Sequence, residues 1–196
     1  MRVVVVMISF LLFGLQLFGQ EVYPSNTFIQ ACYNNKNCFT DKTSSFLFYN
    51  EANHEFYVVV DFAKSKTGID SLDMWLQDLD DTKFVFTGVL NSDRLPALSN
   101  HGFKTLHVNG MASFNHVQHA YTIELVLFQI SQDGMLYRNT GNDYYDKVRA
   151  NMQLSFKPKD FKLDKKHHHL KKTISINIGS GYINQLKPGM EHLIKN

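Results

Sequence analysis

The side chains able to do chemistry in this sequence fall into a few clusters, and spacing limits what each could do. His167-His168-His169 stands inside Lys165-Lys166-His-His-His-Leu170-Lys171-Lys172. Adjacent histidines on an extended chain point in different directions, so at most two could share a metal, and the flanking lysines repel a cation. The stretch reads as a solvated basic loop ahead of the last strand. Its sharper reading is a surface site in which Lys165, Lys166, Lys171 and Lys172 meet an anionic membrane surface or a partner, an attraction that salt would screen.

His116 and His119, with His107 nearby, could mimic a metal pair, but no acid or cysteine sits beside them to complete a shell. No metal site is expected. Asp70, Asp73, Asp78, Asp80 and Asp81 lack the ligand spacing and turn glycine of a calcium loop and read as an acidic helix with its exit turn. There is no nucleophile elbow, no phosphate-cradling glycine loop and no zincin helix. The expectation is a protein with no catalytic residues and no cofactor. A hydrolase with an unrecognised site stays open as an alternative, because triads are recognised by geometry and not by motif.

The two cysteines, Cys32 and Cys38, flank an Asn-rich turn. In an oxidising compartment they would form a disulfide that fixes a local hairpin. Two thiols are too few for a structural zinc site. The export that would place them there is read from residues 1–20. Arg2 precedes an apolar run from Val3 to Phe18 that ends at Gly19-Gln20, as in a signal peptide cleaved near 19–20. An uncleaved N-terminal anchor is the alternative. A further one is lipid attachment at Cys32, from the loose box Ile29-Gln30-Ala31-Cys32. The expected location is the periplasm or the outside of a bacterial cell envelope.

The elements that position these groups are strands. Phe56, Val58, Val60 and Phe62 alternate with Glu55, Tyr57, Val59 and Asp61. Phe84, Phe86 and Leu90 share a face, as do Leu106, Val108, Ala112 and Phe114, and then Tyr121, Ile123, Leu125 and Leu127. Ser45–Tyr49, Ala150–Phe156 and Thr173–Ile178 add further strands, and Gly179-Ser180-Gly181-Tyr182 reads as a bulge or turn. Period-two patterning implies one buried and one wet face, hence a closed barrel or a sandwich. One segment differs: Leu72, Trp75, Leu76 and Leu79 recur at helical spacing, with Asp70 as a cap and Asp73 in the first turn. A second helical turn is expected within residues 142–149.

Hydrophobic and charged fractions of 44% and 19% are those of a folded globular domain, and a net charge of +2 does not call for a nucleic-acid partner. Charge is uneven, because the last forty residues carry nine lysines against three acids. Phenylalanine is abundant, at 16 residues. A packed core would use them all; an eight-stranded barrel with room for one small ligand would be lined the same way.

The order of elements resembles the YceI-like family of lipocalin-like antiparallel barrels. The resemblance runs over residues 44–179. It rests on Val60-Asp61-Phe62 with Lys66-Thr67-Gly68, the helix at Ile69–Leu79, Lys83-Phe84-Val85-Phe86-Thr87-Gly88, Leu106-His107-Val108-Asn109-Gly110, Thr122–Phe128, and Phe161 with Ile174–Ile178. It departs in Ser71–Leu76, where the family carries an Arg-Asp and a His-Leu pair. The resemblance implies an all-β, lipocalin-like barrel of about eight strands with one short amphipathic helix. The domains would be a signal peptide (1–20), an N-terminal segment with the Cys32–Cys38 bridge (21–43) and the barrel (44–196). It further implies an apolar ligand, lipid or polyisoprenoid-like, lined by Phe56, Val58, Val60, Phe84, Phe86, Leu106, Val108, Ile123 and Leu125. The rival is a packed barrel acting as an envelope interaction module through its basic loop.

Overall fold

The computed structural model describes residues 21–32, 38–66, 70–90, 98, 102–163 and 173–195. Eight strands close into one barrel: β1 (Ser25–Cys32), β2 (Cys38–Asn50), β3 (Glu55–Asp61), β4 (Lys83–Val89), β5 (Phe103–Phe114), β6 (Val117–Gln129), β7 (Val148–Phe156) and β8 (Ile174–Gln185). Each pairs antiparallel with the next, and β8 returns to β1. This is the all-β barrel expected from the alternation, with the short helix α1 (Asp70–Gln77) between β3 and β4.

The chain departs from the sequence reading at both seams of the barrel. Barrel strands start at Ser25 and not at 44, because the N-terminal segment is itself a hairpin, β1–β2, that pairs on to β8. The mixed pattern of Ser25–Cys32 hides this: Thr27 and Ser25 are buried and form a polar stitch, Thr27 Oγ1 donating to Ser45 Oγ at 2.6 Å. β8 also runs on past Ile178. Ser180, at φ 51°, forms the bulge within it, and its N–H bonds Asn151 Oδ1 at 2.8 Å. The register slips opposite, between Ala150 and Met152. Beyond the end of β1, the far half of β8 pairs parallel with β2, Leu47 opposite Ile183.

The inner face carries the main core. The outer face of β2–β4, expected to be wet, is covered instead. Phe48, Tyr57, Val59 and Val85 are buried under Leu186, Met190, Leu193 and Ile194, so the C-terminal stretch lies along the barrel wall. β3 is therefore apolar on both faces, which reads as a continuous run and not as half-buried alternation.

Connections at the end of the barrel that holds α1 are tight and capped. Asp61 accepts from Ala63 N at 3.0 Å and turns Phe62 inward in a short 3₁₀ turn. Pro158 opens a second 3₁₀ turn, which Lys162 ends at φ 57°, and this carries Phe161 inward. Asn115 and His116, both with positive φ, make the two-residue turn joining β5 to β6. In α1, Asp70 and Asp73 both stand in the first turn, so Asp70 is part of the helix and not its cap; Leu76 is buried in the core. The side chains of Leu72 and Trp75 lie outside the described residues. The helical turn expected within 142–149 is α2 (Asp143–Lys147), capped by Asn142. No helix among the described residues is long and apolar enough to cross a membrane.

Candidate functional site

The barrel interior is the surface on which the strand pattern converges. Phe56, Val58, Val60, Phe84, Phe86, Ile123 and Leu125 are wholly removed from water, Val108 nearly so, and all belong to one cluster. Leu106 is half-buried and packs against them. All nine residues expected to line the interior are thus brought together. A side chain with no accessible area touches no water-sized void, so side chains pack the interior around the fully buried ones. A guest could occupy that space only by displacing them.

The two ends of the interior differ. At the α1 end, Phe62, Phe84, Phe114, Phe156 and Phe161 form a plug. Phe62 and Phe114 stack with centroids 4.9 Å apart, Phe84 and Phe156 stack at 5.2 Å, and Phe161 meets Phe156 edge-on at 5.3 Å. Offset and edge-to-face pairs at these spacings add ~0.5–1.5 kcal/mol each beyond area burial. Tyr121 closes the outside of the plug, stacked on Phe161 at 6.0 Å with its hydroxyl donating to Asp160 at 2.8 Å.

The opposite end has a polar rim over an apolar throat. Tyr145 Oη donates to Glu51 at 2.9 Å, and Tyr49 Oη lies 3.4 Å from His54 Nδ1. Burial raises both Tyr144 and Tyr145 above the ordinary phenol range, and the bond to Glu51 adds to the shift at Tyr145. Their hydroxyls are neutral donors at any physiological pH. Leu98 and Leu106 are only partly buried and pack against the core.

The wall near this end is built on two glycines. Gly88 and Gly110 face each other on the last rung between β4 and β5. A Cβ on Gly110 would sit 2.7 Å from Phe86 Cζ, and one on Gly88 3.0 Å from Phe86 Cε1. The ring of Phe86 therefore lies against bare backbone, in space that any other residue would fill.

Other groups singled out in the sequence are placed less informatively. The register sets Cys32 opposite Cys38 across β1–β2. Lys165, Lys166, Lys171 and Lys172, with the three histidines between them, lie outside the described residues, as does the apolar run of residues 1–20. His107 is 3.8 Å from Glu124 on the exposed wall, and His119 lies against Tyr121. The residues that sequence reading missed are Tyr49, Tyr144, Tyr145 and Glu51 of the rim. Only the helical turn around Tyr144-Tyr145 gave any signal there.

The fold has relatives among solved structures. A polyisoprenoid binding domain from Saccharophagus degradans superposes with a TM-score of 0.54 at 14% identity, covering 81% of this chain and 96% of that one. BcnA of Burkholderia cenocepacia gives 0.52 at 12%, covering 79% and 93%. A YCEI protein of Campylobacter jejuni gives 0.43 at 17%, covering 69% and 77%. No family model matches the sequence. No curated protein matches it either. The chain has the YceI-like barrel fold that its sequence resembles, at weak identity.

Proposed function

We propose that this is an exported, non-catalytic barrel that binds an apolar chain, lipid or polyisoprenoid-like, along its interior. The observation that carries the reading is the asymmetry of that interior. It is apolar from wall to wall, filled at one end by five clustered phenylalanines and bordered at the other by hydrogen-bonded tyrosines, with Leu98 and Leu106 only partly buried. That geometry suits an amphiphile with a long apolar tail and a small uncharged head. The Saccharophagus degradans domain of the same fold is described as polyisoprenoid-binding, which supports the reading. Export is supported by the N-terminal apolar run, and a Cys32–Cys38 bridge by their facing positions in the register.

Admission of the chain requires interior side chains to turn aside. Burying methylenes contributes ~0.8 kcal/mol each, against the cost of displacing packed aromatic contacts. The rival reading, a packed barrel that acts through its surface, draws on the absence of water contact in the interior. Native mass spectrometry of protein purified from its own envelope separates the two. A co-purifying lipid of defined mass, released on denaturation, is the expected result. A bare protein mass, with no thermal stabilisation by a panel of long-chain lipids and isoprenoids, would overturn the apolar-ligand reading and leave the packed barrel.

A further inference from the structure

A cavity lies outside the barrel wall, between the start of the described chain and the connection from β6 to β7. It measures about 270 Å³ and is lined in part by Glu21, Tyr23, Arg138, Asn139, Asn142 and Lys187. Its floor is unusual in charge. Arg138, on the lining, is 8% exposed; Arg149, which does not line the cavity, is fully buried, and the two guanidinium groups lie 5.3 and 4.2 Å from the ring centroid of Tyr182, with Tyr23 facing Arg138 at 4.9 Å.

Both arginines spend their hydrogen bonds mainly on main-chain carbonyls. Arg138 donates from Nε and Nη2 to Tyr145 O at 3.2 and 3.0 Å, and from Nη2 to Ile183 O. Arg149 donates from Nη1 to Tyr145 O at 3.2 Å and Val148 O at 2.8 Å, and from Nη2 to Leu136 O. Carbonyls satisfy donors but do not neutralise charge. The buried carboxylate in this cluster is Asp146, 3.8 Å from Arg138 Nε, and it also accepts from Thr140 N and Oγ1. Among the described residues, two buried cations therefore share one buried anion, and Arg149 Nε has no acceptor. Burial, with the neighbouring Arg138 second, brings Arg149 down to about 10. An uncompensated positive charge in a weakly polar setting is costly unless an anion approaches.

The cavity offers donors for such an anion. A guanidinium has five N–H groups; among the described residues, Arg138 commits three as above and one from Nη1 to Asn184 Oδ1 at 3.3 Å, which leaves one on Nη1. The Lys187 ammonium has no partner among the described residues, and the amides of Asn139 and Asn142 stand on the same lining. Against these is Glu21, whose carboxylate accepts from Tyr23 Oη at the rim.

We propose that this cavity binds a small oxoanion of the phosphate class, with the uncommitted Arg138 N–H and Lys187 as its charged donors and the asparagine amides as neutral ones. The several acceptor oxygens of a phosphate match this spread of donors better than the two of a carboxylate. The site is separate from the barrel interior and does not depend on the apolar-ligand reading.

Calorimetric titration of the purified protein with inorganic phosphate, at constant ionic strength set with chloride, tests it. Saturable one-site binding is expected. Lys187→Ser should weaken it by about tenfold, the usual effect of losing one charge-assisted bond. Glu21→Gln should tighten it by removing the opposing charge. Both side chains are on the surface, so urea midpoints should not move and loss of fold is not a confounder. Absence of saturable binding, or identical affinity in both variants, would overturn the assignment. Parallel titrations with glycerol phosphate and a short-chain phosphatidic acid identify the source. Equal affinities mark a site for free phosphate groups, and tighter binding of the lipid marks a headgroup site; either supports the cavity as the phosphate site.

Discussion

Replacing Gly110 with alanine tests whether the wall of the barrel needs bare backbone beside Phe86. The new methyl would lie 2.2 Å from Thr87 O, 2.8 Å from Gly88 Cα and 2.7 Å from Phe86 Cζ. Gly110 is not at positive φ, so alanine meets no dihedral penalty and the cost is steric. Two of the three contacts are backbone, which cannot rotate away; β4 and β5 must separate at their last rung, where only Val85–Gly88 pair with Gly110–Ser113. Overpacking of this kind costs ~1–3 kcal/mol, and a weakened ladder bond adds about 1. Reduced freedom of the unfolded chain returns ~0.4–1 kcal/mol. The net expectation is a loss of about 2–3 kcal/mol, or roughly 5–10 °C in Tm for a domain of this size. Urea unfolding followed by far-UV circular dichroism reads it as a lower midpoint at constant slope. Gly179→Ala, whose methyl would meet nothing within 4 Å, is the matched control and should be within about half a kcal/mol of the parent. Adding Phe86→Leu to Gly110→Ala removes the ring clash but not the Thr87 clash, so it should not restore stability. A Gly110→Ala protein as stable as the Gly179→Ala control would refute the close-approach reasoning.

Further expectations follow from the same geometry. Phe156→Ala, which opens the aromatic plug, should cost ~3–5 kcal/mol by chemical denaturation, the range for a buried phenylalanine. Asn184 holds Tyr23 by both N–H and C=O at 3.0 Å and also bonds Leu47 O at 3.1 Å, so Asn184→Ala should abolish hydrogen-exchange protection of the Tyr23 amide and expose residues 21–24 to proteolysis. Burial, and then a bond to Glu55, pushes Tyr57 up to about 12 from 10.0. A raised phenol favours the folded state below its unfolded pKa, and that contribution is lost as pH climbs from 10 to 12. Stability profiles should therefore fall less steeply across that window in Tyr57→Phe than in the parent.

The fold was legible where one face of a strand is wet. The inner residues of β5 and β6 follow from periodicity alone, and β7 is a strand in the sequence pattern as in the structure. β1 was not legible, because its inner positions Ser25 and Thr27 are polar and are satisfied by Ser45, a partner that sequence cannot supply. The outer face of β2–β4 reads as wet from alternation, because the C-terminal stretch that covers it lies more than a hundred residues further along the chain. At the candidate site, the apolar lining could be read from the alternation, but its packing could not, since filled and hollow barrels use the same residues. The rim of Tyr49, Tyr145 and Glu51 draws on β2 and α2, roughly a hundred residues apart in the chain, and the buried arginine pair was invisible because Arg138 sits in a loop and Arg149 on a strand's outer face.

The seam at which β8 meets β1 and β2 bears on how the chain acquires its shape. Thr27 pairs with Ile178 and Leu47 with Ile183, so the first and last strands are neighbours in space. Ribosomes deliver the N-terminal hairpin early and β8 late, and the ring cannot close until β8 has emerged. Loop closure over such a span is entropically expensive and places this barrel among the high-contact-order, slow folders. During that interval the edges of β1 and β2 stand open to wrong partners, including the same hairpin of another nascent chain. The polar residues on the inner face of β1, weak contributors to stability, make that waiting hairpin less adhesive.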